Sequence, residues 1–162
     1  TINTVIDLGT GSGVLAITAK LEHLDTHVTA SDISPTAISV AKKNAAIHNA
    51  HIQFQLSDMF ANLPCMPKTR PYIVLANLPY VPEKLITSDE ITKEPALALF
   101  SGDDGLDHYR NFWKQVSELK NKPGHIILES LEAQHEAVNS LANKAGFTLS
   151  LTKDLVQLFT KS

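Results

Sequence analysis

Short apolar runs alternate along this chain with segments in which apolar residues recur at helical spacing. Runs that are rich in β-branched residues or that alternate with polar ones predict five strands, at residues 4–8, 27–32, 52–58, 72–76 and 126–128. Helical spacing predicts four helices, at residues 14–22, 35–48, 109–119 and 137–145. Residues 147–160 are predicted to supply one or two closing strands. Strands alternating with helices favour an α/β fold, in which a mostly parallel twisted sheet carries helices on both faces.

Local signals predict where several helices begin and end. Ser34 followed by Pro35 is typical of an N-cap and first-turn pair. Pro123-Gly124 is predicted to end the third helix, and Gly146 to cap the fourth. The aromatic pair Phe112 and Trp113 lies on the apolar face of the third helix, which predicts a core position for both. Residues 77–105 lack a regular pattern, which predicts a long irregular segment.

Composition sets broad limits on the class of protein. The length of 162 residues suits a single domain over residues 1–162. A net charge of -3 argues against stable nucleic-acid binding driven by charge, and no run approaches the ~20 apolar residues of a membrane span. Cys65 is the only cysteine, which excludes an intramolecular disulfide and favours a reducing, cytoplasmic location. Because the chain begins at Thr1 rather than Met, we expect it to be a piece of a longer protein.

Three glycines separate the first predicted strand from the first helix, in the segment Asp7-Leu-Gly-Thr-Gly-Ser-Gly13. Glycine permits a tight turn there and lets a ligand approach the backbone, which is typical of nucleotide binding. The dinucleotide pattern places its third glycine one residue later. The Asp7 carboxylate would repel a pyrophosphate but suits the ammonium group of a methionine moiety, directly or through water. The loop therefore favours S-adenosylmethionine over NAD.

Two further aspartates follow the second and third predicted strands. Asp32 is predicted to accept hydrogen bonds from both ribose hydroxyls, the alternative being a turn aspartate at the start of the next helix. Asp58 is predicted to accept a hydrogen bond from the adenine amino group, the alternative being an ordinary strand-end aspartate. Met59 and Phe60 are predicted to offer apolar contact to the adenine ring.

The segment Asn77-Leu-Pro-Tyr80 follows the fourth predicted strand directly. An amide or exocyclic amino nitrogen is a poor nucleophile because its lone pair is delocalised, so its methylation requires acceptors for both N–H groups and a rigid planar site. The Asn77 side-chain oxygen and the Leu78 backbone carbonyl are the predicted acceptors. Pro79 stiffens the loop, and the Tyr80 ring can pack on the planar group. An Asn-x-Pro turn alone is ordinary, but beside a methyl-donor loop it predicts methylation of a planar nitrogen.

Seven short motifs occur in the same order as in one enzyme family. They are Asp7-Leu-Gly-Thr-Gly-Ser-Gly13, Asp32-Ile-Ser-Pro35, Ala41-Lys-Lys-Asn-Ala45, Asp58-Met-Phe60, Asn77-Leu-Pro-Tyr-Val81, Glu94-Pro-Ala-Leu97 and Gly102-Asp-Asp-Gly-Leu-Asp-His-Tyr-Arg110. Over roughly residues 4–135 the chain resembles the catalytic domain of the PrmC/HemK protein-glutamine methyltransferases. The last two motifs are the most specific, because many methyltransferases share the glycine loop.

The resemblance implies a Rossmann-like class I methyltransferase fold and a defined reaction. A methyl group would pass from S-adenosylmethionine, leaving S-adenosylhomocysteine, to a glutamine side-chain amide in the Gly-Gly-Gln motif of peptide-chain release factors. It also implies that the family's N-terminal helical domain, which helps dock the release factor, is missing here. Residues matching the family's catalytic positions are Asn77, Leu78, Pro79 and Tyr80. Residues matching its cofactor-binding positions are Asp7, Gly9, Thr10, Gly11, Gly13, Asp32, Ile33, Asp58, Met59 and Asn77.

The chain departs from the family's pattern at several positions. The family has Pro where this chain has Leu78, Arg where it has Thr92, and Leu-Glu-x-Gly where it has Leu128-Glu-Ser-Leu131. These differences concern substrate fit more than cofactor binding. Two alternative substrates stay open: a glutamine in a large-subunit ribosomal protein and, because Leu78 also matches rRNA adenine dimethyltransferases, an adenine amino group in RNA or DNA. An NAD-dependent oxidoreductase and a non-catalytic nucleoside-binding module are further alternatives.

Three other polar residues are weaker candidates. The resemblance implies that Glu94 shapes the mouth of the site, although a solvated loop glutamate is an equal interpretation. His48 and His51 straddle a predicted helix end without a Cys or carboxylate cluster beside them, so no metal site is expected.

Overall fold

The chain folds around one mixed sheet, here described from a computed structural model over residues 3–63, 71–82 and 101–162. In chain order its elements are β1 Thr4–Leu8, α1 Val14–Glu22, β2 His27–Asp32, α2 Pro35–Ile47, β3 Gln53–Leu56, β4 Ile73–Ala76, α3 Asp107–Glu118, β5 His125–Glu129, a 3-10 turn Glu132–Gln134, α4 His135–Lys144, β6 Phe147–Lys153 and β7 Val156–Lys161. The strand order is β3-β2-β1-β4-β5-β7-β6. Strands β1 to β5 pair in parallel, and β7 runs antiparallel to β5 and β6. The predicted mostly parallel, Rossmann-like α/β sheet is confirmed.

Helices cover both faces of the sheet. On one face Val5 of β1 and Val28 of β2 share a cluster with Ala16 of α1. On the other face Phe112 and Trp113 of α3 belong to a larger cluster formed with alternate strand residues and with α4. Their rings meet edge to face with centroids 5.1 Å apart, so the predicted core role of both is confirmed. In the described part of the chain, no helix has the length and apolar character needed to cross a membrane.

The helix ends follow most of the local signals. Ser34 caps α2, its Oγ accepting a hydrogen bond from the backbone N–H of Ala37 at 3.3 Å, with Pro35 in the first turn. Gly146 follows α4 in the left-handed conformation, with φ +87°, as predicted for its C-terminal end. The helix predicted at residues 109–119 is confirmed as α3, but the predicted stop signal was wrong, because the helix ends at Glu118 rather than at Pro123-Gly124. Leu119 turns to extended backbone and packs against the core from there.

The order in which the chain adds strands to the sheet reverses between β1 and β4, although these strands are parallel. From β1 the chain crosses through α1 to β2 on one side, whereas β4 pairs with β1 on the other side. The register pairs Leu8 with Ala76, so β1 and β4 end at the same level. In open α/β sheets, ligands bind beyond the carboxyl ends of the strands at such a reversal. The loops that follow β1 and β4 therefore flank the expected binding crevice.

Candidate active site

The glycine loop after β1 is a tight left-handed turn. Gly9, Gly11 and Gly13 have φ values of +67°, +54° and +88°. The loop is tied to β2 by a 2.9 Å hydrogen bond from the Thr10 N–H to the Ser31 carbonyl. A Cβ at Gly13 would lie 3.1 Å from the Ala41 Cβ, whereas a Cβ at Gly11 would meet no heavy atom of the described residues within 4 Å. One side of the loop thus packs closely against α2, and the backbone at Gly11 faces open space.

Asp7 lies beneath this loop and organises it. Its side chain is buried, and its Oδ2 accepts hydrogen bonds from the Thr10 hydroxyl at 2.6 Å and the Ala16 N–H at 3.2 Å. The other oxygen, Oδ1, is buried and has no hydrogen-bond partner within residues 3–63, 71–82 and 101–162. Burial raises the pKa of Asp7 to about 6, against the lowering effect of Thr10 and Ala16, and the charge of Asp32 adds to the rise. An unsatisfied buried carboxylate oxygen at a binding crevice is a ready acceptor for a cationic ligand.

Asp32, at the end of β2, joins the glycine loop to the start of α2. Its Oδ2 accepts a 2.9 Å hydrogen bond from the Gly11 N–H, and its Oδ1 accepts one of the same length from the Ser34 N–H. The carboxylate is half-buried. Each oxygen of a carboxylate has two lone pairs, so both can still accept from a ligand hydroxyl. The bonds to Gly11 and Ser34 confirm the turn interpretation of Asp32, and its ribose contact stays a prediction.

The segment after β3 contributes one polar and two apolar candidates. Asp58 is half-buried. Met59 and Phe60 are each 7% exposed and belong to the large core cluster, so little of either side chain is accessible. The predicted adenine contact of Met59 stays a prediction, and Ile33, which is 66% exposed beside Asp32, is the more accessible apolar candidate.

The Asn77–Tyr80 loop, residues 77–80, lies against the glycine loop. A Cβ at Gly9 would lie 3.4 Å from the Leu78 Cδ2 and 3.8 Å from the Asn77 carbonyl oxygen. Leu78 is 3% exposed and belongs to the core cluster, whereas Asn77 is exposed. The buried Leu78 side chain therefore anchors the loop and leaves Asn77 at the surface of the crevice.

Tyr80 is held at its hydroxyl by Glu129, the last residue of β5, and at its backbone carbonyl by the 3-10 turn that follows. Its hydroxyl donates to the Glu129 Oε1 at 2.8 Å, and its backbone carbonyl accepts from the Gln134 Nε2, also at 2.8 Å. Burial, followed by the hydrogen bond and the charge of Glu129, raises the pKa of Tyr80 to about 12. Tyr80 is thus a protonated, oriented ring and not a base at neutral pH.

Two residues at this site, Glu129 and Gln134, were not predicted as functional. The register pairs Ala76 with Leu128, so Glu129 ends its strand level with Asn77. The signal that found Asp32 and Asp58, an acidic residue at a strand's carboxyl end, was also present at Glu129. Gln134 gave no such signal, because it reaches the loop from a 3-10 turn 54 residues further along the chain.

The remaining candidates are separate from this site or cannot be placed. Thr92, Glu94 and Cys65 lie outside the described residues. Across the described ranges, no group of three or more His, Cys, Asp or Glu side chains is arranged to hold a metal ion, and His48 and His51 form no such group.

Sequence comparison places this geometry among methyltransferases. The family model of the methyltransferase small domain matches residues 1–95. A release factor glutamine methyltransferase of Cereibacter sphaeroides is 38% identical over 158 residues, covering 94% of this chain and 55% of that protein. The resemblance inferred from the motifs is therefore confirmed, and the chain spans about half the length of the release factor glutamine methyltransferases that it matches.

Structural comparison agrees on the fold. A ribosomal protein L11 methylase of Lactobacillus delbrueckii subsp. bulgaricus superposes with a TM-score of 0.67 at 20% identity, over 100% of this chain and 72% of that one. Magnesium protoporphyrin IX methyltransferase of Synechocystis, solved with bound S-adenosylmethionine, gives a TM-score of 0.59 at 16% identity, over 98% of this chain and 69% of that one. The fold is that of the class I, S-adenosylmethionine-dependent methyltransferases. With its glycine loop at the sheet reversal and a family match over more than half its length, the chain belongs to the methyltransferase small domain family.

Proposed function

We propose that this chain transfers a methyl group from S-adenosylmethionine to the side-chain amide nitrogen of a protein glutamine, with the Gly-Gly-Gln motif of a peptide-chain release factor as substrate. The main support for the proposal is the contact between the glycine loop and the Asn77–Tyr80 loop. In the proposal the glycine loop belongs to the donor subsite, which would bind the methyl donor, and the Asn77–Tyr80 loop is the acceptor subsite, which would bind the glutamine amide. The 38% identity with a release factor glutamine methyltransferase supports the choice of substrate. The proposal includes a cytoplasmic location and requires no metal.

The residues of the donor subsite suit S-adenosylmethionine. The Asp7 Oδ1, which has no partner among the described residues, can accept from an ammonium group, directly or through water. Within the same residues, the backbone beside Gly11 is open to a ligand. Asp32 retains acceptor capacity for ribose hydroxyls after its bonds to Gly11 and Ser34. When bound, the cofactor supplies a methyl group already activated by a positively charged sulfur. A strong base or Lewis acid is therefore not needed from the protein.

The acceptor subsite would act by positioning. In the proposal, the exposed Asn77 side-chain oxygen and the Leu78 carbonyl accept the two N–H groups of the substrate amide. Tyr80 is held by hydrogen bonds at its ring hydroxyl and at its backbone carbonyl, and its ring provides a flat surface for the planar amide. Holding a planar amide between oriented acceptors favours the conformation in which its lone pair is exposed. Positioning of this kind lowers the activation barrier of the transfer substantially.

Leu78 is compatible with this chemistry although the family has proline there. Its side chain fills space beside Gly9 in the core, and only its carbonyl is required at the acceptor subsite. The same residue keeps adenine amino methylation as a second candidate, because Asn-Leu-Pro-Tyr also matches rRNA adenine dimethyltransferases. The net charge of -3 disfavours that candidate, since nucleic-acid enzymes usually present excess positive charge to phosphates.

The test is methyl transfer from labelled S-adenosylmethionine to a purified release factor. The matched control is the same factor with Gln→Ala in its Gly-Gly-Gln motif, and we expect label only in the unmodified factor. Equal labelling of both would refute the glutamine assignment. Parallel reactions with large-subunit ribosomal proteins and with adenine-containing RNA separate the two alternative substrates. Calorimetry with NADH and with S-adenosylmethionine separates methyl transfer from hydride transfer.

A further inference from the structure

One buried side chain joins three stretches of backbone next to the acceptor subsite. Gln134 is 5% exposed, at the end of the 3-10 turn that follows β5. Its Nε2 donates to the Tyr80 carbonyl at 2.8 Å and to the Asp104 carbonyl at 3.2 Å. Its Oε1 accepts from the Leu131 N–H at 3.1 Å. Both N–H groups of this single amide are therefore committed to carbonyls that are distant from it in the sequence.

The backbone at Gly105 lies so close to Gln134 and Tyr80 that it leaves no room for a side chain at that position. Gly105 has φ +74°, and a Cβ at that position would lie 2.4 Å from the Gln134 Nε2 and 2.4 Å from the Tyr80 carbonyl oxygen. Real Cβ atoms essentially never approach a neighbour so closely. Gly105 and Gln134 thus define one junction, at which the 104–105 backbone, the Tyr80 carbonyl and the turn after β5 are in direct contact.

We infer that Gln134 is a positioning residue for the acceptor loop, an inference that rests on the function proposed above. Tyr80 has two fixed points: Glu129 holds its hydroxyl and Gln134 holds its carbonyl. Because the Tyr80 carbonyl is only two residues from the Leu78 carbonyl, its bond to Gln134 limits rotation of the peptides between them. Gln134 therefore sets the orientation of an acceptor group that it does not itself touch.

An uncharged amide is the group that suits this junction. The carbonyls of Tyr80 and Asp104 are both acceptors, so the residue between them must offer two donors, while the Leu131 N–H requires an acceptor on the same side chain. Glutamine provides all three groups at the right length. A carboxylate would set an oxygen against two carbonyl oxygens, and an apolar side chain would leave all three backbone groups without this partner.

The experiment compares Gln134→Met and Gln134→Glu with Gln157→Met. Gln157 is a suitable control because it is fully buried, accepts from the Ser130 hydroxyl at 3.2 Å and donates to the His135 carbonyl at 3.4 Å, without a bond to Tyr80. With a release factor as substrate, we expect kcat to fall by about 10- to 100-fold in Gln134→Met and further in Gln134→Glu. The KM of the release factor and the Kd of S-adenosylhomocysteine should stay within about threefold. Gln157→Met should lose comparable stability to urea while kcat stays within about threefold.

Amide hydrogen exchange tests the same inference without a measurement of catalysis. In the peptide covering residues 77–82, we expect faster amide exchange in Gln134→Met than in wild type, and no such change in Gln157→Met. Equal losses of kcat in Gln134→Met and Gln157→Met, or unchanged exchange of residues 77–82 in Gln134→Met, would overturn the inference. If the wild-type chain fails to methylate any glutamine while exchange still rises in Gln134→Met alone, the proposed function fails and Gln134 remains the residue that fixes the loop.

Discussion

The hydroxyl of Tyr80 donates a 2.8 Å hydrogen bond to Oε1 of Glu129, linking the loop after β4 to the end of β5. The two strands are parallel neighbours, and their register pairs Ala76 with Leu128. The backbone carbonyl of Glu129 also accepts a hydrogen bond from the Tyr109 hydroxyl of α3. Glu129 is thus held on its main chain while its side chain fixes Tyr80, and the ring is oriented by the sheet rather than by its own loop.

Removal of the Tyr80 hydroxyl should therefore reduce methyl transfer without abolishing it. Tyr80→Phe retains the ring but loses the bond to Glu129, and we expect kcat to fall by about 3- to 10-fold, the equivalent of one hydrogen bond. Glu129→Gln keeps an acceptor oxygen and should retain activity close to that of wild type. Because the pKa of Tyr80 is raised to about 12, the rate should show no tyrosine ionisation between about pH 7 and 10. A fall in Glu129→Gln as large as that in Tyr80→Phe would show that the charge, not the hydrogen bond, matters.

Asn77 should be required for transfer but not for folding. Its side chain is exposed, so Asn77→Ala should change the free energy of unfolding by no more than about 0.5 kcal/mol. Loss of the proposed acceptor for the substrate amide should lower kcat by at least about 100-fold. Because the resemblance also matches Asn77 to a cofactor-binding position, the affinity for S-adenosylhomocysteine, measured by calorimetry, should fall by far less than kcat, within about 10-fold. If cofactor binding vanished as well, the division between donor and acceptor subsites would be wrong.

Replacement of Gly105 should lower the stability of the fold strongly. In Gly105→Ala the added Cβ meets the Gln134 amide and the Tyr80 carbonyl at 2.4 Å, in a backbone conformation with φ +74°. We expect the free energy of unfolding, measured in urea, to fall by about 2 kcal/mol or more. Gly124→Ala is the matched control, because its Cβ would meet Pro71 at an ordinary 3.6 Å and its φ lies outside the left-handed range. Equal effects of the two substitutions would indicate that the junction relaxes.

The placement of the candidate donor-side residues at one edge of the sheet was predictable because the signals are local, whereas their contacts with a cofactor stay predictions. Asp7, the glycines and Asp32 directly follow or end predicted strands, and a parallel sheet brings such positions to one edge whatever the details of packing. Asn77 was predictable for the same reason. The structure adds the hydrogen bonds among them, including the bond from the Gly11 N–H to Asp32.

The support of the acceptor loop was not predictable, because it depends on contacts between distant segments. Glu129 and Gln134 reach Tyr80 from 49 and 54 residues away in the chain. Glu129 carried the strand-end acidic signal noted above, but nothing in the sequence pairs it with Tyr80, and Gln134 carried no signal. The end of α3 shows a related limit. Apolar spacing predicted residues 109–119, but the predicted stop signal Pro123-Gly124 lies five residues beyond Glu118, and Leu119 packs against the core from extended backbone.

Asp7 should make stability depend on pH in the direction opposite to that of carboxylates held in salt bridges, because burial raises its pKa. Its pKa is about 6 in the folded chain against an ordinary value of 3.8, so between these values the folded state holds a proton that the unfolded state has released. The free energy of unfolding should therefore fall as pH rises from about 4 to 6, by up to about 3 kcal/mol. Asp7→Asn can still accept from Thr10 and Ala16, and the difference in stability between variant and wild type should grow over this range. Urea denaturation at pH 4.5 and 7 tests this, and a constant difference would contradict it.

Cofactor binding should be coupled to ionisation of the same Asp7 carboxylate. If the Asp7 Oδ1, unpartnered among the residues that the structure describes, receives the ammonium group of S-adenosylmethionine, binding favours the ionised carboxylate and releases a proton near pH 6. We expect the affinity to weaken as pH falls from 7 to 5, and calorimetry in two buffers of different ionisation enthalpy to report release of a fraction of a proton at pH 6. Asp7→Asn should bind more weakly at pH 7 and show neither effect. A wild-type chain that binds with no proton release at pH 6 would show instead that Asp7 only supports the glycine loop, through Thr10 and Ala16, without meeting the cofactor's charge.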